Sequence, residues 1–280
     1  MTGLSLALAG LGGCAVSRKK VTVPTAMRPA LTATKAELIA RYNSAASAVQ
    51  TLNAAVRMSP TAGSALSGVI EQYHDVNGYI LAARPASIRV IGQAPIVAKD
   101  IFDMASDGQT FRIYIPSKNK FIVGPTNLGE MARKPIENLR PQHLFEALMW
   151  TEIATDAAVL LEEVSEPPAQ YYVLIAATHG AQGWDLERKI WFDRGDLQIV
   201  RVQIFGGEGE VVSDIRPSDW QLQGGIAYPR EILLARPADE YQLDIAITNL
   251  TLNQPISTDR FQLAQPAGTD LVQLGEEKQP

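Results

Sequence analysis

The sequence predicts an α+β fold, a strongly curved antiparallel sheet accompanied by a long N-terminal helix and a short second helix. Three observations carry this. Apolar residues recur at helical spacing after Thr34 and again after Pro141. Elsewhere from about residue 66 the apolar residues alternate with polar ones, as on a half-buried sheet. The alternating runs follow one another at hairpin distance, separated by turn residues such as Asp107-Gly108 and Gly206-Gly207. Many antiparallel strands in hairpin order imply one curved sheet rather than a layered α/β domain.

Composition narrows the function classes. The 280 residues are 46% hydrophobic and 20% charged, ordinary for a globular chain, with a net charge of −5. That balance argues against a general nucleic-acid binder, which needs a basic face. The chain holds one cysteine, Cys14, so no intramolecular disulfide forms.

The position of that cysteine is informative. Leu4 to Leu11 is an apolar run, followed at once by Leu11-Gly12-Gly13-Cys14. The run is far shorter than the ~20 residues of a membrane-spanning helix. It reads as a lipoprotein signal peptide over residues 1–13. Small residues let the backbone enter a narrow peptidase site, and the Cys14 thiol accepts the lipid. No Lys or Arg precedes the run. Residues 14–33, with Arg18, Lys19, Lys20 and Arg28 and little periodicity, read as a tether behind the lipidated cysteine. Its basic residues suit anionic headgroups. Ala15 rather than Asp after the cysteine predicts an outer-membrane, periplasmic-face location.

The folded domain is expected over residues 34–268. Thr34-Lys35-Ala36-Glu37 is a capping box. Leu38, Tyr42, Ala45, Val49, Leu52 and Val56 extend one helical stripe to the stop at Ser59-Pro60-Thr61-Ala62-Gly63. Strands follow over 66–76, 79–83 and 87–92, broken at Asn77-Gly78 and at Pro85. Further strands are predicted over 101–105, 110–115 and 121–123. Pro141 opens a short amphipathic helix bearing Leu144, Phe145 and Leu148, either an ordinary core helix or a lid over an apolar cavity. Seven more strands span 158–252. In the last, Tyr241, Leu243, Ile245 and Ile247 share one phase, and Leu250 and Leu252 the other, which predicts a bulge near Asn249. From Pro266 the chain is polar, and 269–280 reads as a tail.

No catalytic signature emerges. There is no nucleophile elbow, zincin helix, phosphate loop or glycine fingerprint after a strand. His74, His143 and His179 share no ligand spacing, so neither metal nor cofactor is expected. Glu162-Glu163 reads as a solvated strand end. The expectation is a binding protein, not an enzyme.

Four motifs in order carry a resemblance. Gly78-Tyr79-Ile80-Leu81-Ala82-Ala83-Arg84-Pro85 is a strand ending in Arg-Pro. Asp107-Gly108-Gln109-Thr110-Phe111 leads to Tyr114 and Pro116, and Phe192-Asp193-Arg194-Gly195 forms a later hairpin. Phe261, Gln262, Leu263, Pro266 and Gly268 close the series. This order over about residues 34–270 resembles the LolA/LolB carriers that move lipoproteins to the outer membrane. The resemblance implies an unclosed half β-barrel wrapped around a long N-terminal helix and a short lid helix, with an apolar cavity for acyl chains. It implies that Arg84 steadies the lid, formed with Leu144, Phe145 and Leu148. Phe111, Ile113, Ile115, Val200, Val202, Ile204, Leu243 and Ile245 are then the expected cavity lining; a filled barrel would use the same residues as core. The longer C-terminal half and the lipid anchor depart from the soluble carrier. The expected partners are the membrane through Cys14, acyl chains of lipids or lipoproteins, and other envelope proteins. A docking lipoprotein with a filled barrel is the alternative function.

Overall fold

The computed structural model describes residues 29–64, 69–95, 99–127, 138–166, 169–180 and 183–275. Cys14, the signal peptide and most of the tether lie outside them. The described chain is mostly sheet. Helix α1 (Lys35–Ser47) leads into strand β1 (Thr51–Ser64). Strands β2 (Val69–Gln72), β3 (Val76–Ala83), β4 (Ser87–Gln93), β5 (Asp100–Ser106), β6 (Thr110–Ile115) and β7 (Lys120–Pro125) follow. Helix α2 (Pro141–Leu148) precedes β8 (Ala158–Glu166), β9 (Ala169–Gly180), β10 (Gly183–Asp193) and β11 (Ile199–Phe205). Strands β12 (Val211–Gln223), β13 (Ile226–Arg236), β14 (Tyr241–Leu252) and β15 (Asp270–Gln273) complete the order.

All fifteen described strands form one unclosed curved sheet, ordered β15-β7-β6-β5-β4-β3-β1-β14-β13-β12-β11-β10-β9-β8, with β2 paired to β1. Strand β1 is the seam. It pairs with β3 through Thr51–Met58 on one side and with β14 through Leu52–Ala62 on the other. Two hairpin meanders therefore meet on one early strand, and both ends of the sheet stay open. Every pairing is antiparallel except β15 with β7, which is parallel.

The capping box forms as expected: the Glu37 amide donates to the Thr34 hydroxyl, and the Thr34 amide to the Glu37 carboxylate. The helix is shorter than expected, however. Leu52 and Val56 are four apart, which suits a helix and an alternating strand equally. The structure resolves the ambiguity as strand, because Leu52, Ala54, Val56 and Met58 are all buried. A paired strand satisfies the backbone of residues 51–64 on both sides, which a continued helix would deny to β3 and β14. Asn77-Gly78 is not a turn either. It lies inside β3, where a Cβ on Gly78 would stand 2.3 Å from the Ile91 carbonyl oxygen, so glycine serves close strand approach. Of the expected 66–76 strand, residues 66–68 lie outside the described residues, Val69–Gln72 form β2, and Val76 opens β3. The expected polar tail instead contributes β15 at residues 270–273, which covers the edge of β7.

Other expectations hold in detail. The Asp107 carboxylate accepts from the Gln109 and Thr110 amides, turning the β5–β6 hairpin at Gly108 (φ +92°). The bulge falls at Thr248: Ala55 faces Asn249, but Val56 faces Ile247. It moves the buried phase of β14 from Ile247 to Leu250 and lets the strand bend around the interior.

Candidate functional site

The concave face of the sheet is apolar and meets both helices. Phe111, Ile113, Val202, Leu243 and Ile245 are buried in one continuous core with Leu144, Phe145 and Leu148 of α2. Ile115 and Ile204 are half-buried against it. Val200 stands apart. The pairing of β10 with β11 slips between Trp191–Arg201 and Phe192–Ile199, so Ile199, not Val200, takes the inward place. Alternation read without the bulge puts the wrong residue on the core face. Helix α2 packs on β4, β5 and β13 and thereby bridges the two meanders, while α1 packs on β9.

The C-terminal end of α2 is held through its carbonyls. A helix leaves its last carbonyls without internal partners, and here side chains supply them. The Tyr228 hydroxyl donates to Leu148 O at 2.9 Å. Arg84, in the turn between β3 and β4, donates from Nη2 to Trp150 O at 2.7 Å and to Ala46 O at 2.6 Å, and from Nε to Val49 O at 2.9 Å. One guanidinium thus ties the ends of both helices to the sheet, with its charge where the helix dipoles favour a cation. Arg188 donates to Thr151 O at 2.6 Å and to the Tyr42 hydroxyl at 2.9 Å. Asn43 of α1 accepts from the Ile153 amide and donates to the Ile153 carbonyl. The Trp150 ring stacks on Tyr42 at 6.1 Å and meets Trp220 edge-on at 5.9 Å.

Among these residues sequence reasoning singled out Arg84 alone. Arg188 carries a readable signal: it shares the strand phase of Ile190 and Phe192, which are buried. A charged residue in an apolar phase needs internal partners. Asn43 and Tyr228 carry no such signal.

The other end of α2 holds a buried polar cluster. His143 Nδ1 shares a 2.6 Å hydrogen bond with the Tyr241 hydroxyl. Glu146 lies 3.9 Å from Arg236, which also binds Asp239 at 2.7 Å and Ser213 Oγ at 2.8 Å. Burial pushes His143 well below the usual histidine range, and Arg236 and Arg140 push the same way. Burial raises Glu146, opposed by Arg236 and Arg188. Among the described residues no three of His, Cys, Asp and Glu gather as a metal site.

A cleft between α1 and α2, roofed by the β12–β13 hairpin, has an accessible volume of about 10 Å³, room for about one water molecule. Ligand pockets usually need roughly 300 Å³ or more. This cleft as it stands is too small for an acyl chain.

Two outcomes follow from these contacts. Arg84→Met keeps the aliphatic length but orphans three carbonyls; urea unfolding is expected to show a loss of about 1–3 kcal/mol, and an unchanged midpoint would refute the tie. His143 gives a pH dependence of definite sign. In the unfolded chain it titrates near ~6.5, whereas the folded side chain stays neutral well below that. Below that pH the unfolded state binds the extra proton, so stability falls as the pH drops through the window beneath ~6.5. The urea midpoint is expected to be lower at about pH 5.5 than at about pH 7.5, and His143→Gln is expected to shrink the difference. Glu146 acts with the opposite sign, so the comparison of variant with parent at each pH isolates the imidazole.

Sequence comparison finds no matching family model and no matching curated protein. Structural comparison does find relatives. The LolA superfamily protein NE2245 from Nitrosomonas europaea superposes with a TM-score of 0.50 at 11% identity, covering 83% of this chain and 99% of that one. A DUF1329 family protein from Desulfovibrio piger superposes with a TM-score of 0.51 at 14% identity, covering 80% and 94%. Together with the unclosed curved sheet, these show that the chain has a LolA/LolB-like fold.

Proposed function

We propose that this chain is a membrane-anchored periplasmic lipoprotein that binds acyl chains of lipids or lipoproteins inside its half-barrel. It serves as an acceptor or exchange factor in lipoprotein or lipid trafficking at the outer membrane, and it is not an enzyme. The observation that carries the reading is the covered concave face. Leu144, Phe145 and Leu148 of α2 occupy the apolar interior between the two meanders, and the helix is held at its ends by hydrogen bonds. Displacing α2 or its surroundings would expose the apolar surface around Phe111, Ile113, Val202, Leu243 and Ile245. Each CH₂ of an entering chain would then contribute ~0.8 kcal/mol. In this reading Arg84 is the positioning residue for the closed state.

The anchor explains why a carrier-like domain would act at a fixed place. A tether of residues 14–33 reaches up to ~3.3 Å per residue from the membrane, so the domain stays within tens of Å of it.

Binding is tested with purified chain and cis-parinaric acid, whose fluorescence rises on burial. Saturable enhancement, reversed by palmitate, is expected, and solvent extraction of the protein is expected to release co-purified lipid in a mass spectrum. An absence of both sinks the acyl-binding reading. For the anchor, Cys14→Ser is expected to fold normally and to shift from the membrane to the soluble fraction. A variant that still sediments with membranes shows that Cys14 is not the attachment point.

A further inference from the structure

The β12–β13 hairpin runs past the sheet that carries it. Strand β12 pairs with β11 only through Val211–Ile215, and β13 pairs with β14 only through Glu231–Arg236. Beyond Ser218 and Glu231 the two strands pair solely with each other, from Trp220–Pro229 to Gln223–Ile226. Pro229 is tolerated there because a two-stranded ribbon has outer sides that need no ladder bond. Asp219 takes φ +50° where the ribbon departs, and Gly224-Gly225 closes the tip with φ +57° and +85°. Leu222 near the tip is 75% exposed.

This ribbon roofs the cleft between the helices. Ala45, Ala46 and Val49 form one wall, Ala147, Leu148 and Trp150 the other, and Trp220, Ala227, Tyr228 and Pro229 the roof. No lining side chain carries a charge. The three polar atoms these side chains possess are already satisfied: Trp150 Nε1 by Ala147 O, Trp220 Nε1 by Ile199 O, and the Tyr228 hydroxyl by Leu148 O. Such a slot offers nothing to a headgroup and suits an unbranched hydrocarbon chain, since the alanines keep its walls narrow.

We propose that the β12–β13 ribbon is the gate through which a single acyl chain passes between α1 and α2. The inference rests on the acyl-binding reading above and specifies its entrance. Two routes lead to the interior. Lifting α2 breaks the Tyr228–Leu148 bond, the bonds from Arg84, Arg188 and Asn43 to the chain after the helix, and that at His143. Swinging the ribbon breaks the Tyr228–Leu148 and Trp220–Ile199 bonds and the edge contact of Trp220 on Trp150, and leaves the Arg84 tie intact. The second route disrupts fewer charged contacts, and no third strand opposes it.

The test is stopped-flow uptake of cis-parinaric acid by the full chain. Tyr228→Phe, which removes one hydroxyl, is expected to speed uptake about fivefold, the factor that one hydrogen bond of ~1 kcal/mol represents. Trp220→Ala is expected to speed it further. Asp107→Ala, which loosens the β5–β6 turn instead, controls for general destabilisation and is expected to leave the rate unchanged. If the parent chain takes up probe but Trp220→Ala, whose lost bond to Ile199 holds the ribbon and not α2, does so at the parent rate, or if Asp107→Ala is accelerated equally, the gate is overturned while acyl binding stands. If the parent chain takes up no probe, both readings fall.

Discussion

A helix that crosses the open face of a sheet must find partners for its terminal carbonyls, and in this protein that constraint organises everything around α2. The carbonyl of Leu148 at the end of α2, and those of Trp150, Thr151 and Ile153 in the chain that leaves it, are answered by Tyr228, Arg84, Arg188 and Asn43, drawn respectively from β13, the β3–β4 turn, β10 and α1. Four distant parts of the chain therefore converge on one short segment. Arg84 is the centre of this arrangement because the same guanidinium also holds Ala46 and Val49, so the two helices cannot separate from each other or from the turn independently. Charge-assisted bonds of this kind are stronger than neutral ones and keep in place a short helix that has little stability alone.

The opposite end of α2 follows a different logic. Arg236 is buried, His143 is half-buried and Glu146 reaches the surface, and together they find one another and Tyr241, Asp239 and Ser213. A polar cluster of this kind adds little net stability but penalises misplacement, since a shift of α2 parts His143 from Tyr241 and Glu146 from Arg236, while Arg236 keeps Asp239 and Ser213. The helix is thus defined in position by polar contacts at its ends, while its middle, through Leu144 and Phe145, is held by burial, which is non-directional. Burial alone would not distinguish those side chains from another hydrocarbon of similar volume.

The sheet was legible in the sequence wherever alternation was unbroken and turns had a specific chemistry, as at Asp107-Gly108 and across the Thr248 bulge. It was misread where one spacing served two periods. Leu52 and Val56 suit a helix as well as a strand, and only the long-range pairing of β1 with β3 and β14 decides between them. Asn77-Gly78 was misread because glycine answers both to turns and to close strand approach. Of the apolar residues expected on the concave face, phase places Phe111, Ile113, Val202, Leu243 and Ile245 in the buried core and Ile115 and Ile204 against it, but not Val200, displaced by a bulge that leaves no local signal. Arg84 was found through the Arg-Pro motif. Tyr228, Asn43 and Trp220 were not, because their partners lie on elements distant in sequence and their own neighbours say nothing of them.

An unclosed sheet also has to manage its edges. At one edge the short β15 covers β7. At the other, β8 exposes Leu160, and the chain before α1 runs alongside. The Leu31 amide donates to Arg194 O, Arg194 binds Glu163 on β8 at 2.8 Å, and the Lys35 ammonium reaches Val159 O at 2.9 Å. Residues 31–35 therefore follow β8 from near Glu163 to near Val159, shielding part of an edge that would otherwise invite pairing with another chain. The same contacts fix where residues 14–33 join the domain. The chain before α1 therefore meets the fold at Leu31, beside the β10–β11 turn and the free edge, not at α2 or at β1.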